Sequence, residues 1–579
     1  MRINLNGSFL KQYLKELEKL ENDCNEFSEE FPNLAPNLGF GKDGTTDPHV
    51  KQLIEAVAFI SARLQRQIES IPNQIVHTLL KKTDKLMCEP IASMSVASFK
   101  PISEKLKIKD NQSPKKWSLY TKSDSSTKSI KYTSYFESVN LLPIKIECTE
   151  QKNIRYETPI PNEVNNFVIK INAIQNSVDL SGLKKLEFYI SGALNKALEA
   201  IDSIFLGLKK IYLTDRQGKF INEIDRKSIY LKNINEIQRG QLAEGEKIDK
   251  MVSDLLFQQR LYSFFTIDSL ELKSPLSEFH IVMEMEDEWG RLLMNVANDV
   301  KINCIPIINK YSVQPLSINI HEHQHEYEVI LDKKKDEHIF GIEKIILVGD
   351  VNEIEIHEYN PVLNSTSNEI IHWNMQAAGE NYGRFEGKKF MLQILGDQKE
   401  ISKYKSIFIY CQVTQGFNPE SQNSGVELYL NNWDNGYKCN LECANTKYEA
   451  PLQSDEINNF HMLLGVKKNI NHDLLIDEVK KYINSRDRFF QNRAQAINEL
   501  IIGLDKNLIA CKALNAPVGT MLRVGVQYNL ILKRKKDSII SYVVLSKIIL
   551  EILKSFNNKY DSVFMSMVFE DQKQEYSIP

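Results

Sequence analysis

Features that would point to a secreted, membrane-embedded or nucleic-acid-binding protein are scarce in this sequence. The 579 residues include only eight cysteines, whose positions show no spacing typical of a disulfide framework. Glycine (24) and proline (18) are too few for a collagen-like or linker-rich chain. Lysine plus arginine (72) nearly balances aspartate plus glutamate (76), and the net charge is −4. This balance argues against general nucleic-acid binding, which depends on many cationic contacts with phosphates.

Long apolar runs are also missing. Charged and amide side chains interrupt the first twenty residues, so we expect no signal peptide. The most apolar stretch, from Ser538 to Leu553, is broken by Lys547 and Glu551 and is shorter than the roughly 20 residues of a membrane-spanning helix. We therefore predict no membrane insertion, and we interpret the cysteines as free thiols in a reducing compartment.

The N-terminal part has the periodicity of helices. Apolar residues recur at spacings of three and four from Leu10 to Phe31, which is the pattern of a coiled-coil seam. Asp47 followed by Pro48 predicts the start of a second helix, because aspartate caps helices and proline suits the first helical position. A third helix is expected from about Asn73 to Met87.

The remaining sequence alternates between strand and helix patterns. We predict an α+β multidomain protein with an N-terminal helical bundle segment, β-rich middle modules and a C-terminal α+β module. The expected divisions are a helical assembly segment (1–92), an α/β module (93–215), β-rich modules (216–455) and an α+β module (456–579). A helical period is also predicted for residues 472–514.

A histidine-rich stretch contains a zinc-protease motif. His321, Glu322 and His325 fit H-E-x-x-H, which binds zinc only on a helix. The flanking apolar residues alternate with a period of two, so the sequence predicts a strand with His321, His323 and His325 on one face. We therefore nominate no catalytic, cofactor-binding or metal-ligating residue and predict that the protein is not an enzyme. A zinc site on the histidine face and a plain polar sheet face are the alternatives.

Four segments resemble one bacterial family. The segment TDPHVKQLIEAVAFISARLQRQIES at 46–70, together with PIASMSVASFKP at 90–101, resembles the N-terminal signature of the TssF family, also called VasA or ImpG. The segments at 183–205 and 302–332 are also similar to that family. The family signature has a second proline where this chain has Ala92, and residues 215–300 and most of 335–470 show little similarity. The chain is identified as a divergent member.

The resemblance implies a scaffold of a type VI secretion system. TssF proteins are baseplate wedge components of this contractile injection machine, so the expected partners are TssG, a second TssF copy, TssK, the spike hub and the sheath. The resemblance implies no cofactor and a location in the bacterial cytoplasm, docked at the inner membrane through the baseplate, with a role in virulence. The alternatives are a cytosolic hydrolase with an unrecognised site in the β-rich middle and a cytosolic adaptor outside secretion.

Candidate partner contacts lie on the two N-terminal helices. Acidic residues Glu16, Asp23 and Glu30 flank the seam of the first helix and disfavour a parallel self-pair, so we expect the seam to dock on a different helix of the same chain or of TssG. In the second helix, a stripe from Val50 to Ile68 is expected to face the core. Phe59 lies nearly opposite that stripe. We predict that Phe59, with Ala56 and Arg63, contacts a neighbouring subunit.

Overall fold

The computed structural model divides the chain into two compact units. The first consists of described residues between 7 and 83, and the second of those from 89 onward. The described residues are 7–41, 44–45, 47–83, 89–102, 116–122, 129–137, 141–150, 156–161, 166–175, 179–272, 276–321, 324, 326–331, 337–359, 371–378, 389–430, 436–449, 475–487, 492–512, 522–535, 538–556, 562–571 and 574–577.

Two long helices form most of the first unit. Helix α1 spans Gly7–Glu30 and helix α2 spans Pro48–Thr83. The link between them contains a 3-10 helix, Ala35–Leu38, and a short hairpin of β1 (Phe40–Gly41) and β2 (Gly44–Thr45).

The start of α2 was predicted correctly and its end was not. Asp47 Oδ1 accepts a 2.8 Å hydrogen bond from the backbone N–H of His49, so Asp47 caps the helix as expected. The third helix predicted from Asn73 is wrong, because α2 continues past Pro72 to Thr83. Proline removes one intrahelical hydrogen bond and often kinks a helix, but the helix can continue beyond it.

A closed barrel forms one part of the second unit. Its strands follow the order β15-β3-β25-β24-β4-β5, and every neighbouring pair is antiparallel. Phe99, Trp117, Ile307 and Leu428 are among the buried residues of its interior. The strands come from distant parts of the chain: β3 (Met94–Pro101), β4 (Ser118–Thr121), β5 (Lys131–Ser134), β15 (Cys304–Ile308), β24 (Glu427–Leu430) and β25 (Tyr437–Leu441).

Two antiparallel sheets follow in the second unit. The first has the order β10-β9-β13-β7-β6 and the second β11-β12-β8-β14. The strands of the first are β6 (Ile144–Glu150), β7 (Asn166–Ala173), β9 (Leu208–Asp215), β10 (Phe220–Ile224) and β13 (Glu278–Met285). The strands of the second are β8 (Leu186–Ile190), β11 (Ile229–Leu231), β12 (Phe264–Ile267) and β14 (Val300–Lys301).

Helices connect these strands, and the connections differ from the predicted α/β module. Helix α3 (Leu194–Gly207) joins β8 to β9, but the two strands belong to different sheets and all their pairings are antiparallel. The boundary expected at residue 215 falls inside the first sheet, because β13 is its central strand and pairs with both β7 and β9. The remaining helices are α4 (Lys232–Arg239), α5 (Glu244–Phe257) and α6 (Asp287–Met294), with 3-10 helices Arg226–Ser228, Gln259–Ser263 and Ala297–Asp299.

Residues 311–414 form a β-rich insertion between barrel strands β15 and β24, which we call the 311–414 module. Its main strand order is β16-β23-β19-β20-β21-β22-β18, and β17 also pairs with β23. Ile345, Leu347, Leu392, Ile407 and Ile409 lie in its core. Its elements are β16 (Tyr311–Ser312), β17 (Leu316–Asn319), β18 (Glu326–Val329), β19 (His338–Gly349), β20 (Glu353–Glu358), β21 (His372–Ala378), β22 (Lys389–Leu395), α7 (Gln398–Ile401) and β23 (Tyr404–Thr414).

The C-terminal part combines helices with a four-stranded sheet of order β26-β27-β28-β29. The helical period predicted for 472–514 is only partly correct, since its second half is strand β26, which pairs with β27 along its whole length. The elements, preceded by a 3-10 helix at Asn418–Ser421, are α8 (Leu475–Ser485), α9 (Arg493–Asn498), β26 (Ile501–Lys512), β27 (Leu522–Leu532), α10 (Tyr542–Phe556), β28 (Val563–Phe569) and β29 (Glu575–Ser577).

The predicted fold class is confirmed. Helices and largely antiparallel sheets occur together in an α+β multidomain chain. In the part of the chain that the structure describes, no helix has the length and apolar character needed to span a membrane.

Candidate interaction surface

The seam of α1 lies against α2, as predicted for docking on a helix of the same chain. Tyr13, Leu17 and Leu20 are half-buried, as are Cys24 and Phe27 further along the helix. The two ends of the seam are more open, since Leu10 is 42% and Phe31 46% exposed. The central seam is therefore shielded within the first unit.

Helix α2 turns a different face inward from the one predicted. The fully buried residues of its first five turns are Ala58 and Ala62, each with 0% exposure. Of the expected core-facing residues, Val50, Ile54 and Ser61 are half-buried. Four others are exposed: Leu53 66%, Val57 43%, Ile60 58% and Leu64 53%. The predicted core stripe is therefore only partly correct, because the buried face is rotated towards Ala58 and Ala62. Small alanine side chains let a neighbouring helix approach closely, and the larger aliphatic residues then point elsewhere.

The four exposed residues Leu53, Val57, Ile60 and Leu64 form a continuous line, which we call the α2 stripe. Their spacings of four, three and four place them within an arc of about 60° at 100° per residue. The same spacing characterises the a and d positions that pack between helices of a coiled coil. A single exposed leucine is ordinary on a protein surface, but a contiguous aliphatic stripe is typical of a contact surface.

The other candidates on α2 lie beside this stripe or further around the helix. Ala56 and Arg63 are exposed and border it, and Phe59, which is 44% exposed, lies roughly 130° from its centre. Phe59 is therefore on the flank of the helix, between the α2 stripe and the buried face of Ala58 and Ala62. The arrangement provides an aliphatic surface with a guanidinium group at its edge, which suits an amphipathic helix with acidic flanking residues.

The acidic candidates occupy α1. Asp23 and Glu30 are exposed, whereas Glu16 is half-buried. Glu30 is the last residue of α1, and no basic residue occupies its last turn. A negative charge at this end opposes the helix dipole, so Glu30 does not stabilise α1 through the dipole.

The histidine stretch lies between two strands. Strand β17 ends at Asn319 and β18 begins at Glu326, with an exposed His321 between them. The backbone N–H of Gln324 donates a 3.2 Å hydrogen bond to the His321 carbonyl. The single continuous strand predicted here is therefore wrong. Glu322, His323 and His325 lie outside the described residues, and within these no cluster suited to a metal ion occurs.

A buried carboxylate in the second unit was not predicted from the sequence. Asp202 on α3 is 3% exposed and accepts hydrogen bonds from the backbone N–H groups of Tyr542 and Val543, both at 3.0 Å, and from the Ser541 hydroxyl at 2.5 Å. It caps α10 from more than 300 residues away in sequence. Burial raises the pKa of Asp202 to about 7. No local pattern signals a cap supplied by a distant segment.

The chain matches a known protein family. The family model described as "Type VI secretion system, TssF" matches residues 5–415. Among curated proteins, the chain is similar to the type VI secretion system component TssF1 of Pseudomonas aeruginosa, with 31% identity over 97 residues. That alignment covers 17% of this chain and only 16% of the relative.

Two solved structures share the fold. A chain of the TssK-TssF-TssG baseplate subcomplex of the type VI secretion system, determined by cryo-electron microscopy, aligns with a TM-score of 0.68 and 13% identity, covering 91% of this chain and 97% of that chain. A chain of the baseplate complex from the type VI secretion system aligns with a TM-score of 0.56 and 15% identity, covering 99% and 98%. At such low identity these alignments indicate a common fold.

Proposed function

The chain belongs to the TssF family of the type VI secretion system, and we propose that it is a structural subunit of the baseplate, assembling with its partners through the N-terminal helices. The α2 stripe is the observation that supports this assembly role most directly. Its four aliphatic side chains are exposed within the first unit, and covering them with another helix would remove apolar surface from water.

TssG and TssK are the proposed principal partners. A protein of the same fold occurs with both in the solved baseplate subcomplex. A second copy of the chain, the spike hub and the sheath are further proposed neighbours, because the resemblance of the sequence to TssF proteins implies a wedge. The proposed location is the bacterial cytoplasm, with docking at the inner membrane through the baseplate.

A scaffold role is favoured over catalysis. The matching family is a type VI secretion family, and both similar solved structures come from its baseplate. None of these findings favours the hydrolase that was an alternative from the sequence. We propose that the protein acts by positioning other subunits. Deleting it should abolish contractile sheath assembly, and the wild-type chain should co-purify with TssG and TssK homologues from the same bacterium. Sheath assembly that continues normally in its absence would contradict the proposal.

A second contact is proposed on the flank of α2, centred on Phe59. Truncating an aromatic anchor in a desolvated interface typically costs about 2 kcal/mol or more, whereas truncating an exposed aromatic has little effect. Phe59→Ala should therefore leave the melting temperature of the isolated chain nearly unchanged and weaken co-purification with TssG or the second copy. Leu242→Ala is a matched control, since Leu242 is an apolar residue with the same exposure, 44%, outside these helices. Complex formation equal to the control would exclude Phe59 from the interface.

A further inference from the structure

The 311–414 module is connected to the barrel by two short passages of chain. One leads from β15 through Asn309 and Lys310 into β16, and the other returns from β23 through Gln415. Among the described strands, those of the module pair only with one another and those of the barrel only with other barrel strands. The orientation of the module therefore depends on contacts made at these two passages.

A single buried amide links both passages. The Asn309 side chain is fully buried, and its Oδ1 accepts hydrogen bonds from the Thr414 hydroxyl at 2.8 Å and the Gln415 backbone N–H at 2.7 Å. Its Nδ2 donates to the Lys131 carbonyl at 2.7 Å and to Gln415 Oε1 at 3.1 Å. All four hydrogen-bonding positions of this amide are occupied.

Gln415 extends the linkage to barrel strand β5. Its Oε1 also accepts a 2.8 Å hydrogen bond from the backbone N–H of Lys131, and its Nε2 donates to the Ser129 carbonyl at 2.8 Å. The Gln415 residue is 5% exposed. The side-chain amides of Asn309 and Gln415 thus connect both passages to barrel strand β5 in one hydrogen-bond network, which we call the Asn309–Gln415 clasp.

Additional contacts at the same junction are fewer or more exposed. The Thr133 hydroxyl donates to the Lys310 carbonyl at 2.5 Å, and Lys131 Nζ lies 3.7 Å from Glu337 Oε1 with the lysine side chain 46% exposed. The Glu337 side chain is 6% exposed, but the open lysine and the 3.7 Å separation limit what this pair contributes to stability. The clasp, by contrast, is buried, where leaving a polar partner unsatisfied is costly.

We propose that the Asn309–Gln415 clasp fixes the orientation of the 311–414 module on the barrel, so that opening it turns the two passages into a hinge. The inference concerns the fold of this chain and does not depend on the proposed function. An amide is required at position 309 because the group must accept two hydrogen bonds and donate two. A carboxylate of the same shape accepts the first pair but cannot donate the second.

The clasp is tested by measuring backbone amide hydrogen exchange in the full-length wild-type chain and in the Asn309→Asp variant. The control is Asn319→Asp, which introduces the same charge at an exposed position of β17. We expect the amides of Lys131 and Gln415 to exchange roughly 10- to 100-fold faster in the Asn309 variant, since buried polar groups left without a partner favour local opening of the junction. Protection of Phe99 in the barrel and Ile407 in the module should remain unchanged.

Two results would overturn the proposal. Exchange at Lys131 and Gln415 equal to that of the control would show that the clasp does not hold the junction. Protection lost equally throughout barrel and module would show that Asn309 supports one common core. If Asn309→Asp unfolds the chain, the same exchange measurement is made on Gln415→Met. This substitution removes the side-chain hydrogen bonds of Gln415 without adding a charge. Local loss of protection at the junction then supports the proposal, and unchanged or chain-wide exchange contradicts it.

Discussion

The contact between Gly207 and Trp289 provides a steric prediction. Gly207 is the last residue of α3, and a Cβ atom at this position would lie 2.1 Å from Trp289 Cβ and 2.5 Å from Trp289 Cγ. Carbon atoms in ordinary contact are about 3.5–4.0 Å apart. Gly207→Ala therefore requires α3 and α6 to separate by roughly 1.5 Å.

The surroundings resist this separation. The Gly207 carbonyl accepts a 2.8 Å hydrogen bond from the Glu286 N–H, which ties the two chain segments together. The indole of Trp289 is 3% exposed, with the Arg534 guanidinium 5.3 Å above it and the Tyr576 ring at 6.1 Å. Overpacking a well-filled core typically costs about 1–3 kcal/mol and occasionally more. We expect Gly207→Ala to lower the free energy of unfolding by about 3 kcal/mol, at the upper end of this range.

Urea unfolding followed by tryptophan fluorescence measures this cost. Gly182→Ala is the control, because nothing lies within 4 Å of the Cβ position at Gly182. The atom nearest to the added methyl group is Trp289 Cβ, which alanine at position 289 keeps and glycine removes. The loss of unfolding free energy caused by Gly207→Ala should therefore persist in a Trp289→Ala background and largely vanish in a Trp289→Gly background. A cost below about 0.5 kcal/mol for Gly207→Ala, the ordinary range of surface substitutions, would refute the reasoning.

Two further predictions concern Asp202 and α1. The raised pKa of Asp202, about 7, means that the folded chain holds a proton that the unfolded chain releases near pH 4. The contribution of Asp202 to the free energy of unfolding is therefore lost as the pH rises towards 7. In urea unfolding, Asp202→Ala should lower this free energy by about 1–3 kcal/mol at pH 5 and by less at pH 8. A cost of the substitution that grows with pH would contradict this. A peptide of residues 6–32 should not form a tight parallel dimer at neutral pH, because Glu16 would approach Glu21 of its copy; sedimentation showing such a dimer would refute this.

Elements with a strong local pattern were predicted well from the sequence. The first helix, with its seam from Leu10 to Phe31, and the start of the second helix at Pro48 follow from local apolar spacing and capping residues. The partners of the strands could not be predicted in the same way. The barrel combines residues near 94, 304 and 437, and such pairings depend on contacts far apart in the sequence.

The orientation of α2 shows a second limit of sequence reasoning. Periodicity identifies an apolar stripe but does not say whether the covering surface belongs to the same chain. Here Ala58 and Ala62 are buried within the first unit, and Leu53 and Ile60 are exposed. In a subunit of a larger assembly, the most apolar face of a helix can belong to a partner. The 4-3-4 spacing is visible in the sequence, but the sequence does not show that these four side chains are exposed within the chain.

The most direct test of the assembly role is the affinity of the full chain for the TssG homologue with the α2 stripe altered. Ile60→Asp places a charge at the middle of the stripe, where the wild-type side chain is 58% exposed, and Leu242→Asp places the same charge at an exposed position elsewhere. Burying an aliphatic side chain contributes about 1.5–3 kcal/mol, so Ile60→Asp should weaken binding roughly 10- to 100-fold and leave the melting temperature unchanged. Equal binding by the two variants, with both chains folded, would contradict the assignment of this surface to subunit assembly.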